Sequence, residues 1–515
     1  MTSDENTGAV SGIHPSPITH HSSPHFRALP PLSLYIHIPW CARKCPYCDF
    51  NSHEARGAAP EDRYVAALIA DLEQALPQVW GRRVHSLFLG GGTPSLFSAR
   101  GIDAILSAVR ARLAVAADAE ITLEANPGTA EAGKFRDFRA AGVNRLSLGI
   151  QSFDPRHLKS LGRIHDGREA RAAIDMARTH FENFNLDLMY GLPGQTPGEA
   201  RADIEAALEY EPLHLSCYHL TIEPNTYFHR YPPRLPDDET TAAMQEEIEA
   251  RLAEAGYEHY ETSAFAKFRE AGGGRREADD EPITHHPSPI TARSARCAHN
   301  MNYWTFGDYL GIGAGAYGKL SFPDRVVREM RVKHPERYIE AAEAGKAIQE
   351  RHEVGSSELP FEFMMNALRL NQGFVAGLFE ERAGMPLTAV LRELDQAERR
   401  GLIERDHAHI QQRPAKIAML GRIFAGEPRR NDPFLLVREP GGIRWSVGNE
   451  VERNQGQQNG RQTFDQKQPL PSVEAGDPIH RQNETGERRT DDERQRPCAH
   501  EASDEARAQG RPEPI

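Results

Sequence analysis

Three cysteines within eight residues constrain this chain more than any other feature of it. The stretch reads Leu34-Tyr-Ile-His-Ile-Pro-Trp-Cys41-Ala-Arg-Lys-Cys45-Pro-Tyr-Cys48-Asp-Phe50, so the sulfurs follow an apolar, strand-like run at the spacing Cys-x-x-x-Cys-x-x-Cys. Three thiolates can hold three irons of a [4Fe–4S] cluster and leave the fourth iron open. An open iron lets a cluster bind and cleave a small molecule instead of only passing electrons. In radical chemistry that molecule is S-adenosylmethionine (SAM), whose amino and carboxylate groups chelate the free iron. The competing readings are a structural zinc site, for which His37 or His53 would have to supply a fourth ligand, and disulfides. Three clustered cysteines cannot pair among themselves, and nothing else here points to an oxidising compartment.

The chain has 515 residues, enough for two or three domains and a substantial core. A formal net charge of −13 argues against general binding to nucleic acid or to an anionic membrane. No apolar run approaches the ~20 residues of a transmembrane helix. The N-terminal stretch is rich in Pro, His and Ser and lacks a basic region followed by an apolar one, so it does not read as a secretory signal. Six cysteines are too few for a disulfide scaffold. A cytoplasmic location is expected.

Residues 1–31 are polar and without periodicity, and are expected to be disordered. Strand-like runs then appear at Leu34–Ile38, Val84–Leu89, Glu120–Glu124, Arg145–Ile150, Phe184–Met189 and His214–Ile222, with helical spacing between them, as at Arg63–Glu73 and Gly101–Val109. This alternation predicts an α/β fold of parallel strands joined by right-handed crossovers. Six units over residues 32–267 suit an open partial (β/α)6 barrel better than the closed eightfold form of ~250 residues. In either, residues that do chemistry lie where strands end.

Residues 268–293 read as a polar, low-complexity insertion. It contains His286-Pro-Ser-Pro-Ile-Thr291, and the same hexapeptide occurs at His14–Thr19. Both copies are read as a short repetitive element translated in frame, with no part in the core function. Residues 294–356 extend the barrel. Residues 357–413 read as a small helical, winged-helix-like domain, with a helix from Leu391 running into Gly401 and a β-wing after it. Residues 414–515 are expected to be a disordered tail in which Cys498 is incidental.

Several polar motifs stand at strand ends. Leu89-Gly-Gly-Gly-Thr-Pro-Ser95 follows a strand and precedes a helix. Such a run can be a tight turn, or it can bring backbone N–H and C=O groups against an amino group or carboxylate, with Gly91, Gly92 and Thr93 as contacts. Glu124 ends the third strand and can accept hydrogen bonds from an amine or a ribose. Gln151 ends the fourth, Arg163 follows in Leu161-Gly-Arg-Ile-His165 as a carboxylate holder, and Asp187 closes the fifth. Each alone also fits a satisfied strand-end residue; their recurrence favours a ligand cleft.

The cysteine spacing, with Tyr47 just before the last cysteine, resembles the radical SAM superfamily. Taken with Gly-Gly-Gly-Thr-Pro-Ser95, Glu124-Ala-Asn-Pro-Gly, Gly149-Ile-Gln-Ser-Phe, Asp187-Leu-Met-Tyr-Gly-Leu-Pro, Thr221-Ile-Glu-Pro-Asn-Thr226, Tyr260-Glu-Thr-Ser263 and His299-Asn-Met-Asn-Tyr-Trp304, it looks like the HemW heme chaperones, kin of oxygen-independent coproporphyrinogen III oxidase. The resemblance spans residues 31–267 and 294–411. It implies cluster ligands at Cys41, Cys45 and Cys48. It also implies SAM contacts at Tyr35, Gly91, Gly92, Thr93, Glu124, Gln151, Arg163 and Asp187. The oxidases carry a fourth cysteine where this chain has Phe50, and a longer ordered N-terminal segment, so the chaperone is the expected function. By resemblance the chain would bind heme and pass it to acceptor proteins such as respiratory enzymes, touching membranes only through them. The alternatives are oxidative decarboxylation of coproporphyrinogen III in porphyrin biosynthesis and a non-catalytic module that keeps the cluster as structure.

His299 is the residue that the resemblance links to heme, and a neutral imidazole is a usual proximal ligand. Tyr303 and Trp304 can pack on a porphyrin face. Equally, His299 and Asn300 can bond backbone while Tyr303 and Trp304 fill a core. Cys297 can be a thiolate ligand or a small buried residue. Ala314 and Tyr317 stand where relatives commonly carry Cys and His. Gly313-x-Gly315-x-x-Gly318 matches a dinucleotide fingerprint only formally, since no helix-like pattern follows.

Overall fold

Along each strand that the sequence marks, apolar and polar residues alternate, and that alternation assigns the faces of the sheet. The computed structural model describes residues 23–128, 133–268, 295–406 and 408–412 and two short strands beyond them. The first twenty-two residues, residues 269–294 with nearly all of the insertion, both hexapeptide copies and Cys498 lie outside the described residues. β1 (Leu32–Ile38) is followed by the short strands β2 (Trp40–Cys41) and β3 (His53–Glu54). Then come β4 (Arg83–Gly91), β5 (Ala114–Ala125), β6 (Arg145–Gln151), β7 (Phe184–Tyr190) and β8 (His214–His219). β1 and β4 to β8 lie side by side in chain order, each parallel to the next.

The sheet is larger than its six expected strands. β9 (Glu258–Glu261) and β10 (Ala264–Ala266) add antiparallel strands beyond β8. On the other side β11 (Asp308–Ile312) is a seventh parallel strand, with Leu310 opposite Leu34. Antiparallel β12 (Tyr317–Phe322), β13 (Arg325–Arg331) and β14 (Ile348–Glu353) continue from it. The order β14-β13-β12-β11-β1-β4-β5-β6-β7-β8-β10-β9 does not close on itself. Gly313 and Gly315 form the turn from β11 to β12 with φ of +103° and +76°, so the formal fingerprint is a turn between strands.

Leu34, Ile36 and Ile38, Leu87 and Leu89, Ile121 and Leu123, and Leu146, Leu148 and Ile150 share one core with the crossover helices. The first two of these, α1 (Glu61–Val79) and α2 (Ala99–Arg112), supply Leu68, Leu72, Ile102 and Leu106 to it. Caps fix where helices begin: Ser98 accepts from Gly101 N, and Asp166 with Glu169 closes a capping box, each worth about 1 kcal/mol. The alternate residues Tyr35, His37, Ser86, Glu124, Ser147, Asp187 and Ser216 therefore face the other way. Buried parallel strands are normally apolar on both faces. Here one face is polar, as the wall of a ligand-holding interior would be.

The C-terminal domain carries helices Leu359–Ala367, Gly377–Ala383 and Leu391–Arg399. Strands β15 (Phe374–Val375), β16 (Ile403–Arg405) and β17 (His409–Gln412) form its small sheet, and β16 and β17 form the wing. The last helix ends in a Schellman arrangement at Gly401 (φ +63°), with Leu402 N bonded to Ala397 O and Gly401 N to Glu398 O. Phe363, Phe374 and Phe379 meet edge-to-face in its core.

Two expectations need correction. Residues 25–30, expected to be disordered, are bound to the rest of the protein. His25 N bonds Gly384 O (2.8 Å), Phe26 N bonds Pro323 O (3.0 Å), and Pro30 O accepts from Arg82. The Phe26 ring is buried in the core of the C-terminal domain. One aromatic among polar residues leaves no periodic signal. Within the tail, β18 (Arg438–Glu439) and β19 (Gly442–Ile443) pair antiparallel.

Candidate cofactor site

The cysteine loop hangs between β2 and β3, which pair in parallel. His53 N bonds Pro39 O (2.7 Å) and Ala55 N bonds Cys41 O (2.9 Å), closing the loop at its base. Inside it Lys44 Nζ donates to Ser52 O (2.9 Å), and the Asn51 amide donates to Ala314 O and Lys333 O (2.8 Å each). Cys41, Cys45 and Cys48 are free and half-buried. Burial pushes the Cys41 thiol up to about 11; a hydrogen bond with Thr93 opposes the rise and the Cys48 and Cys45 sulfurs add to it. Burial likewise raises Cys48.

The zinc alternative lacks a ready fourth ligand. Both nitrogens of His37 are engaged, by Tyr35 OH (3.1 Å) and Asn51 O (2.9 Å), and His53 Nε2 meets Asn51 Oδ1 (3.3 Å). Three soft sulfurs without a fourth protein ligand are a donor set that fits a cluster.

The glycine run is stitched to this loop. Gly92 N bonds Ile38 O (2.8 Å) and Thr93 N bonds Trp40 O (2.7 Å). Gly91 has φ +116°, a Cβ on it would lie 2.6 Å from the His37 ring, and one on Gly92 would lie 2.5 Å from Trp40 O. Both glycines are thus required by close packing of the chain itself. From Thr93 a hydrogen-bonded arc runs around the strand ends. Asn126 Nδ2 donates to Thr93 Oγ1 (2.8 Å), and Arg163 Nη2 donates to Asn126 Oδ1 (2.6 Å) and Gly149 O (2.8 Å). Arg163 Nη1 reaches Cys45 Sγ (3.6 Å), and Arg163 Nε is buried without a partner among the described residues. Asn126 lies within a motif of the sequence but carried no role there. Gln151, at the end of β6, is left-handed (φ +67°) where the pairing of β6 and β7 shifts register.

Glu124 and Asp187 are both half-buried. Glu124 accepts from Gly91 N (3.0 Å), and Asp187 accepts from Ser147 Oγ (2.9 Å) and Asn185 Nδ2 (2.8 Å). Burial pushes Glu124 up to about 8, with Asp187 adding to the rise and the Gly91 N–H opposing it. Burial also raises Asp187 and, with Glu124, the Tyr35 phenol. Two half-buried carboxyls, with no cation among the described residues hydrogen-bonded to either, form a site suited to a positively charged group.

His299 lies on the short helix Ala298–Trp304, with its ring 5.0 Å from Phe88 and 6.1 Å from Tyr35. Burial, then Arg145, lowers its pKa to about 4, so the imidazole is neutral, and Nδ1 has no hydrogen-bond partner among the described residues. Tyr303 packs on Tyr309 (4.9 Å) and Trp304 under Arg369 (4.4 Å), so the two aromatics are not gathered around the His299 ring. The Cys297 thiol is buried, faces Glu120 (3.5 Å), and is pushed up to about 12 by that burial.

A polar floor escaped the sequence reading. Cys297 N donates to Tyr260 OH (3.3 Å), Tyr260 OH meets His214 Nε2 (2.8 Å), and His214 Nδ1 meets Asn185 Oδ1 (2.7 Å). The available signal was the alternation itself, as in Arg145-x-Ser147 and His214-x-Ser216. Asp154, His157 and Glu199 also converge, but Arg156 already donates to both carboxylates (2.7 Å each).

The radical SAM superfamily pattern matches residues 35–207 and the HemN C-terminal domain pattern residues 356–414. The heme chaperone HemW of Escherichia coli (strain K12) is 46% identical over 377 residues, which cover 73% of this chain and 92% of that protein. The chain belongs to the HemW family. HemW of Haemophilus influenzae is 45% identical, over 71% of this chain and 90% of that protein. Among solved structures, coproporphyrinogen III oxidase (HemN) from Escherichia coli superposes with a TM-score of 0.61 at 24% identity, covering 77% of this chain and 89% of that one. That likeness to HemN is one of fold.

Proposed function

We propose that this chain is a heme chaperone of the radical SAM type, which binds heme and hands it to acceptor proteins. Cys41, Cys45 and Cys48 hold a [4Fe–4S] cluster, and Tyr35, Gly91, Gly92, Thr93, Glu124, Gln151, Arg163 and Asp187 line the SAM cleft. One observation carries this reading: the arc Thr93–Asn126–Arg163–Cys45 ties the glycine run, two strand ends and the cysteine loop into one constellation. When bound, the cluster offers an open iron to the amino and carboxylate groups of SAM.

The chain's own residues have distinct tasks. Glu124 and Asp187 accept the cationic end of SAM. Arg163, with Nε unused, holds the carboxylate. Arg163, Ser52 and Thr93 stabilise thiolate charge at Cys45, Cys48 and Cys41. His299 offers a neutral imidazole with an unused nitrogen to heme iron. Phe50 stands 64% exposed at the rim, where a fourth thiolate would serve the decarboxylase.

Anaerobic reconstitution tests the cluster: Cys45→Ala should lose most bound iron and sulfide. Heme titration tests the cargo: His299→Ala should alter the absorption spectrum and weaken binding. Protoporphyrinogen formation from coproporphyrinogen III at useful turnover would overturn the chaperone reading.

A further inference from the structure

Where the C-terminal domain meets the barrel, two buried hydrogen-bond donors are left without acceptors. Arg369 Nε and Trp304 Nε1 are both enclosed, and neither has a partner among the described residues. The Arg369 guanidinium lies over the Trp304 ring at 4.4 Å, within cation–π distance. Among the described residues it donates no hydrogen bond, and no carboxylate comes within 4.0 Å of it. A guanidinium cannot shed its proton, so its charge persists in this setting. Other guanidiniums of the chain show what a paired one looks like: Arg328 donates through Nε and Nη2 to Glu362, and Arg296 binds Glu258.

The surroundings point to what is missing. Arg369 is influenced by Glu261, Tyr303 and Tyr218. Glu261, 3% exposed, attracts the guanidinium from beyond ion-pair distance, and burial raises its own pKa. Tyr218 is in turn influenced by Asp187, Glu261 and Glu124, which sets this junction beside the polar interior. The backbone around Arg369 is pinned: Thr262 Oγ1 donates to Arg369 O, Asn371 N bonds Tyr260 O (3.1 Å), and Glu261 pairs with Leu370. The backbone that carries the guanidinium is thus fixed, and the guanidinium rests on Trp304. The group needs an anion with a lone pair in plane, beside an indole face and a phenol: a carboxylate on a flat aromatic molecule.

We propose that Arg369, supplied by the C-terminal domain, anchors a propionate carboxylate of the tetrapyrrole, with Trp304 N–H as the second donor and the Tyr303–Trp304 pair as the surface beside the ring. This rests on the heme reading above and adds to it a second domain and a carboxylate requirement. His299 addresses iron; Arg369 addresses the side chains of the macrocycle.

The test compares heme with heme dimethyl ester, whose propionates carry no charge, on reconstituted full-length protein. Wild type should bind heme roughly 10- to 100-fold more tightly than the ester, the range of a charged hydrogen-bonded pair. Arg369→Gln should weaken heme by that factor, leave ester binding unchanged and so abolish the preference; Trp304→Phe should do the same to a smaller extent. Without ligand, Arg369→Gln should melt close to the wild-type temperature, because the side chain it removes makes no hydrogen bond among the described residues and leaves Nε unsatisfied. An ester preference that survives Arg369→Gln overturns the proposal, as does a wild type indifferent to esterification. Equal loss of both ligands with a lowered melting temperature also overturns it, since Arg369 would then be structural. If His299→Ala alters heme binding while Arg369→Gln does not, the heme reading stands and this inference falls. If wild type binds no heme, both fall.

Discussion

Two buried acid clusters sit on the same sheet and are built in opposite ways. At the seam between α1 and the added strands, Asp71 is 1% exposed and fully partnered. It accepts from Arg331 Nε (3.0 Å), Tyr338 OH (2.9 Å) and Gly313 N (3.2 Å), while Arg331 also bonds Glu329 (2.7 Å). At the strand ends, Glu124 has one backbone N–H, Asp187 has neutral side-chain partners with Arg145 acting on it from further off, and no cation among the described residues is hydrogen-bonded to either. Where the protein needs a buried carboxylate for architecture it brings its own guanidinium. Where it does not, the lack of a hydrogen-bonded guanidinium among the described residues leaves the acids open to a cationic ligand.

That contrast can be broken by substitution. Asp71→Asn strands Arg331 beside a single remaining acid and should destabilise the fold by about 3 kcal/mol, read as a lowered midpoint in urea. Glu124→Gln should act in the other direction. In the unliganded protein Glu124 has its pKa raised from 4.5 to about 8 by burial. Between those values the folded state keeps a proton that the unfolded state releases, so wild-type stability should fall as pH rises through that window, by ~3–5 kcal/mol in all. Glu124→Gln should flatten the fall, and added SAM should flatten it in wild type; parallel profiles for variant and wild type would remove the case for a vacant cation site. The same variant should weaken SAM binding ~10-fold or more, the loss of one charged hydrogen bond, measurable by calorimetry on the reconstituted protein. The smallest effect belongs to the insertion. Lys267 and Ala295 flank it and are hydrogen-bonded to each other (Ala295 N to Lys267 O, 3.1 Å), so the sheet closes across its base. Deleting residues 269–293 should leave iron content and melting temperature unchanged within error, and a fall in either would give the segment a structural task.

The strands and the cysteine loop were legible because their signals are local: period-two alternation over six or seven residues, and a fixed spacing after it. The strand-end residues were legible through their motifs. The other half of the site was not, because its logic runs between distant segments. Asn126 is informative only once Thr93 and Arg163 flank it. The chain from Cys297 through Tyr260 and His214 to Asn185 joins strands dozens of residues apart. β11 was hidden in the run Leu310-Gly-Ile-Gly-Ala-Gly, whose glycines suggest a loop. They are needed because bare backbone must pass His37 and Asn51 closely, as a Cβ on Gly313 would lie 2.3 Å from His37 O. Arg369 reads as an ordinary helix-end cation until Trp304 is placed beneath it.

Phe26 has a consequence for how this molecule can be cut and recombined. Its ring completes a hydrophobic core whose other members run from Phe306 to Ile410, far along the chain. The final domain is therefore not a detachable module: expressed alone, it would carry a hole the size of a phenyl group. A chimera that exchanges this domain between relatives should work only if it exchanges the short stretch ahead of the first strand as well.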